Sequence, residues 1–270
     1  MNKEYLHQFE DNQIERRLLS LENIPKVEGI LEGKIKKLIL FEKKYLSGDV
    51  DIGDYLSVDK VIDMAPSIYR KVDNYLGVRD ITNPILSFEN VNILDLGLLF
   101  LPKVLPKVLV KKPTNDLYYP ALKRIVLIPC RRKYESVGAL VHEYTHHIQN
   151  EIFPKPFFRK NGIFKEGHAT GTTRQILERY SKEKDSEIFS DTIAYDVICL
   201  RRSYLWMCKK LGQKPNEELL KSKSPLKYIE NVHYNKLEKP SIHEIGNTAF
   251  LIYEQLYGKD IYRQIIKGEF

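Results

Sequence analysis

His142-Glu143-Tyr144-Thr145-His146 places two imidazoles four residues apart with a carboxylate beside the first. At 3.6 residues per turn the two histidines stack on one face of a helix, where both can reach a single metal ion at about 2.0–2.1 Å. Glu143 follows round the helix, placed to polarise a water on that metal. With 7 histidines in 270 residues, such a motif arises by accident in about 1–2% of chains of this composition, so it is read as a site for Zn²⁺.

Two histidines do not complete a catalytic zinc site, which takes three protein ligands and keeps one position open. The best third candidate is Glu166, in Phe164-Lys165-Glu166-Gly167-His168-Ala169, at the start of a second helix beyond a loop holding Pro154 and Pro156. His147 and His168 are its rivals. His147 points about 100° away from His146 round the helix. His168 lies two residues from Glu166 and fits a pocket role or a place outside the ligand set.

These residues resemble the gluzincin metallopeptidases, in which HExxH is followed by a glutamate ligand on the next helix. The likeness is greatest to the aminopeptidase-like branch with its Glu-Gly-His-Thr or Glu-Gly-x-Ala signature, here Glu166-Gly167-His168-Ala169. It implies that Glu166 is a ligand alongside His142 and His146. It also implies that His243-Glu244-Ile245-Gly246 corresponds to the Tyr-x-x-Gly before an apolar helix, whose tyrosine stabilises the oxyanion. Here a histidine, His243, stands in that place, with Tyr195, Tyr228 and Tyr234 as alternative donors. Nineteen residues separate His146 from Glu166, the spacing of thermolysin-like members. Thr170 stands where those members carry the aspartate that orients a ligating histidine, so the support around the ligands must be built differently. The chain has no Gly-x-Met-Glu-Asn segment, which in the aminopeptidase branch helps bind a free amine, so the resemblance implies an endopeptidase rather than an aminopeptidase.

The activity so implied is peptide-bond hydrolysis on a peptide or protein substrate. Glu143 passes the proton of a zinc-bound water to the leaving amine, and strand 124–130 pairs with the extended substrate. A competing expectation is a latent or degenerate gluzincin that binds zinc without turnover, its cleft blocked by the N-terminal part or by the Leu101–Leu109 connector.

The positioning elements follow from periodicity. Val137, Leu140, Val141, Tyr144 and Ile148 form an apolar stripe that buries one side of the HExxH helix and leaves the histidines on a cleft. Helical patterns run over 135–151, 166–183, 187–211, 216–222 and 243–257, and Arg124–Cys130 reads as a short buried strand. Upstream, 8–46 reads as two helices broken around Pro25 and Gly29, and 58–76 as a third. The expected class is α+β: a zincin-like domain over 117–270, mostly helical with a small β-sheet, after a mainly helical region 1–116 of unassigned role. The boundary falls in the linker-like 111–120.

The composition, 43% apolar and 29% charged, is that of a globular chain with a core of its own. Three cysteines without paired spacing predict a reducing, cytoplasmic setting. The charged first thirty residues exclude a secretory signal, and no apolar run approaches the roughly 20 residues of a membrane span. Net charge is +7, divided as −1 over 1–116 and +8 over 117–270. The basic doublets lack interleaved aromatics, so solvated faces rather than a nucleic-acid surface are expected; a third, weaker reading directs the zinc chemistry at DNA-associated proteins.

Overall fold

The computed structural model describes residues 3–46, 55–88, 116–129, 131, 133–181, 188–221 and 239–269. Their architecture is α+β, mostly helical with one three-stranded sheet.

The first helices are α1 (Lys3–His7), α2 (Asp11–Leu18), α3 (Asn23–Leu46) and α4 (Val58–Leu76). The break expected at Pro25 and Gly29 falls at 19–22 instead. Pro25 is the third residue of α3, where its missing N–H has no intrahelical partner to lose, and Gly29 is carried inside the helix. The expected third helix coincides with α4, which Ser57 caps by accepting from the Lys60 N–H and Gly77 ends in the left-handed region at φ 70°.

The sheet consists of β1 (Ile85–Ser87), β2 (Leu117–Tyr119) and β3 (Arg124–Val126), in the order β1-β3-β2. β3 pairs parallel with β1 and antiparallel with β2. The strand read from Arg124 onward therefore exists but is central, its two edges already paired. It cannot receive a substrate strand, which corrects that expectation. The Leu101–Leu109 connector and residues 111–115 lie outside the described residues.

Downstream run α5 (Lys133–Ile152), α6 (Lys155–Lys160), α7 (Gly162–Ser181), α8 (Ile188–Lys210), α9 (Glu217–Lys221), α10 (Ile242–Tyr257) and α11 (Ile261–Lys267). All five predicted stripe residues of α5 are buried. They join one hydrophobic cluster that runs through α2, α3 and α4 as well as α7, α8, α10 and α11. Phe9 packs against Phe164 of α7, and Tyr69 of α4 stacks on Tyr144 of α5. The N-terminal helices thus form one wall of the core that carries the HExxH helix.

At the centre of the helical layer Arg174, almost wholly buried, donates to Asp196 and Asn247 at 3.0 Å, to Glu254 at 3.1 Å and to the Tyr262 hydroxyl at 3.0 Å. Lys34 of α3 reaches the other Asp196 oxygen at 2.6 Å. These bonds tie α3, α7, α8, α10 and α11 together, and every charge in the group meets an opposite one, the condition under which a buried ion is tolerated. Among the described residues no helix is long and apolar enough to cross a membrane.

Candidate metal centre

α5 and α7 pack side by side and bring His142, His146 and Glu166 together. The ligand atoms of the three all lie within 4.8 Å of one another. Glu166 Oε2 is 3.2 Å from His142 Nε2 and 3.3 Å from His146 Nε2. A tetrahedral ion at about 2.05 Å from each donor separates neighbouring donors by about 3.3 Å. The spacing and the mixed imidazole–carboxylate chemistry both fit zinc. Burial alone would raise the Glu166 carboxyl, but the imidazoles of His146, His142 and His243 around it overcome burial and hold it ionised, far below the usual carboxylate range.

Glu143, one residue from His142, is buried at the edge of the same site. Burial lifts its carboxyl to about 7; His142 and the Tyr118 backbone N–H pull it down, and the charges of Glu166 and Asp116 add to the lift. A carboxylate poised near neutrality suits proton transfer. β2 lies alongside, its Tyr118 backbone N–H near enough to favour the ionised form of that carboxylate. Asp116, just before β2, accepts from the Ile128 N–H at 2.8 Å and pairs with Arg131, fixing the chain after β3 beside the site.

His243 stands at the second position of α10. Ser241 and Glu244 form a reciprocal capping box that starts this helix: Ser241 accepts from the Glu244 N–H at 3.3 Å, and Glu244 accepts from the Ser241 N–H at 2.7 Å. The helix start so defined sets His243 Nδ1 3.1 Å from Glu166 Oε2, with the ring half-exposed. This contact raises the His243 pKa against the lowering by burial. The sequence therefore brings Glu143 and His243 to the candidate ligands from separate elements.

His147 lies elsewhere. Its Nε2 is 2.7 Å from the Thr82 carbonyl, so it donates there, and its Nδ1 accepts from the Tyr118 hydroxyl at 2.9 Å. It fastens α5 to the chain before β1 and to β2. His168 is fully buried between Phe164, Phe250 and Tyr262, and burial pushes its pKa down to about 4. Tyr195 is 39% exposed on α8 at the rim of the site; Tyr228 and Tyr234 lie outside the described residues. Gln149, which the sequence reading passed over, accepts from His146 Nδ1 at 2.9 Å. Its place three residues after His146, on the same helix face, is the signal that marks it.

A cleft of about 650 Å³ opens beside His142 and Glu143. Gly138, Ala139, Thr170, Thr173 and Leu177 line it, with Tyr195 at its edge. Thr170 therefore faces the cleft rather than supporting a ligand.

Comparison of the chain with protein-family models, with curated proteins and with solved structures finds no match in any of the three.

Proposed function

We propose that this protein is a zinc metallopeptidase of gluzincin type, with a zincin-like catalytic arrangement, that hydrolyses internal peptide bonds of a peptide or protein substrate. The observation that carries the reading is the convergence of His142 Nε2, His146 Nε2 and Glu166 Oε2 at ligand spacing, with the Glu143 carboxylate buried beside them.

Zinc, held by His142, His146 and Glu166, supplies a Lewis acid that acidifies water and polarises a carbonyl. The Glu143 carboxylate takes a proton from the attacking water and delivers it to the leaving amine. His243, with Nδ1 on Glu166, offers Nε2–H to the developing oxyanion, and Tyr195, at the cleft rim, is the alternative donor. The cleft, whose walls combine Gly138, Ala139 and Leu177 with the charged Asp116, Arg131 and Glu135, leaves room for a substrate side chain. Because β3 is central, an extended substrate lies along β2, the edge strand beside Glu143.

Cleavage of a peptide library by the zinc-loaded protein tests this. Glu143→Gln should lower turnover by about 10²–10⁴-fold while zinc stays bound. Full zinc-dependent cleavage by Glu143→Gln would remove Glu143 as the base. A wild type that binds zinc and cleaves nothing would instead favour the latent or degenerate gluzincin.

A further inference from the structure

Four groups form a continuous hydrogen-bonded line behind the candidate ligand His146. His146 Nδ1 lies 2.9 Å from Gln149 Oε1. Gln149 Nε2 lies 3.2 Å from the Lys165 carbonyl and 3.2 Å from His168 Nδ1. His168 Nε2 lies 3.0 Å from the Tyr262 carbonyl. Gln149 and His168 are both essentially inaccessible, so these partners are the ones available to them.

Two backbone carbonyls set the direction of every bond in this line, because a carbonyl oxygen can only accept. The Tyr262 carbonyl requires a proton on His168 Nε2. The Lys165 carbonyl requires that the amide nitrogen of Gln149 face it, and the same nitrogen then donates to the bare Nδ1 of His168. The Gln149 oxygen is thereby turned to His146, whose Nδ1 must carry the proton. Nε2 of a neutral His146 is left with a lone pair, directed at Glu166 Oε2 3.3 Å away. With His146 neutral, two lone pairs then face each other, and either a proton on Nε2 or a metal cation between the two atoms relieves the arrangement.

We propose that Gln149 and His168 are positioning residues that lock His146 in its Nδ1–H tautomer and so present Nε2 to the metal. The line runs from α5 through α7 to the carbonyl of Tyr262 on α11. The proposal rests on the metal-site reading above, but its first test does not need the metal.

Long-range ¹⁵N–¹H correlation of the metal-free wild type, at a pH where His146 is neutral, reads the tautomer directly. The Nδ1–H form is expected for His146 and the Nε2–H form for His168. An Nε2–H tautomer at His146 overturns the proposal whether or not the protein binds zinc. Zinc affinity by chelator competition then separates positioning from mere packing. Gln149→Met, which fills the space without accepting, should weaken zinc binding about 10- to 100-fold. Gln149→Glu keeps an acceptor on His146 Nδ1 and should bind zinc at least as tightly as the wild type, although its folded state is less stable. Zinc affinity that follows stability, with Glu worse than Met, overturns the proposal, as does wild-type affinity in Gln149→Met. A wild type that fails to bind zinc would count against the metal reading, and the tautomer measurement would still decide the relay.

Discussion

Gly167 of α7 and Gly246 of α10 meet backbone to backbone. A β-carbon on Gly167 would sit 2.5 Å from the Gly246 carbonyl oxygen, and one on Gly246 would sit 2.5 Å from the Ile163 carbonyl oxygen. The crossing lies one residue from Glu166 and three from His243, so this close approach is what carries the start of α10 to Glu166. Gly167→Ala should therefore cost about 1–3 kcal/mol of stability through overpacking. It should also weaken zinc binding by displacing Glu166. Urea unfolding and a zinc titration of the variant check both; wild-type values in each would mean that the helices can part without disturbing the site.

His168 makes the stability of the metal-free protein depend on pH in a defined window. Its folded pKa is about 4 against an ordinary 6.5. Above about 6.5 the ring is neutral in both states and contributes no slope. As pH falls from 6.5 to 4 the unfolded chain takes up a proton that the folded chain refuses, and stability drops by on the order of 3 kcal/mol from this residue. His168→Gln cannot titrate, so its urea-unfolding curve should lack this segment while starting lower at pH 7. Parallel pH profiles for variant and wild type would contradict the assignment.

The oxyanion donor is separable by kinetics. If His243 donates, His243→Ala should lower kcat by about 10²–10³-fold with KM little changed, because the interaction forms only in the transition state. Tyr195→Phe should then have the smaller effect. The reverse order would move the role to Tyr195, which lies at the cleft rim on α8.

Deleting residues 1–116 should unfold the protein rather than release a blocked cleft. Phe9, Ile14, Val27, Leu31 and Val72 are completely or almost completely buried in the cluster that also holds Tyr144 and Phe164. Circular dichroism of the truncated chain should show loss of cooperative unfolding. A truncated chain that folds and gains activity would favour the latent reading.

Much of the site was legible in the sequence because its information is local. The helical period around His142–His146 predicts α5 over 135–151 against the observed Lys133–Ile152. Glu166 and the downstream His243 follow from the resemblance to gluzincins, and the structure brings His142, His146 and His243 within 3.3 Å of the Glu166 carboxylate. What the sequence hid is set by tertiary contact. Arg174 is buried by Asp196, Glu254 and Asn247 from other helices, partners that nothing in its own neighbourhood announces. Gln149 and His168 acquire meaning only through carbonyls from α7 and α11. Gly167 and Gly246 are 79 positions apart, and nothing in either neighbourhood announces that their backbones touch. The central place of β3 depends on β1, 39 residues upstream at its first paired residue, and strand composition does not encode pairing order.

The central claim is that His142, His146 and Glu166 hold one zinc ion. Elemental mass spectrometry of tag-free protein tests it most directly, comparing wild type with His146→Ala and Glu166→Ala. The account predicts close to one zinc per wild-type chain, lost or strongly reduced in both variants. A wild type that holds no zinc after zinc is added back, or variants that retain it in full, would contradict the three-ligand site and the peptidase reading built on it.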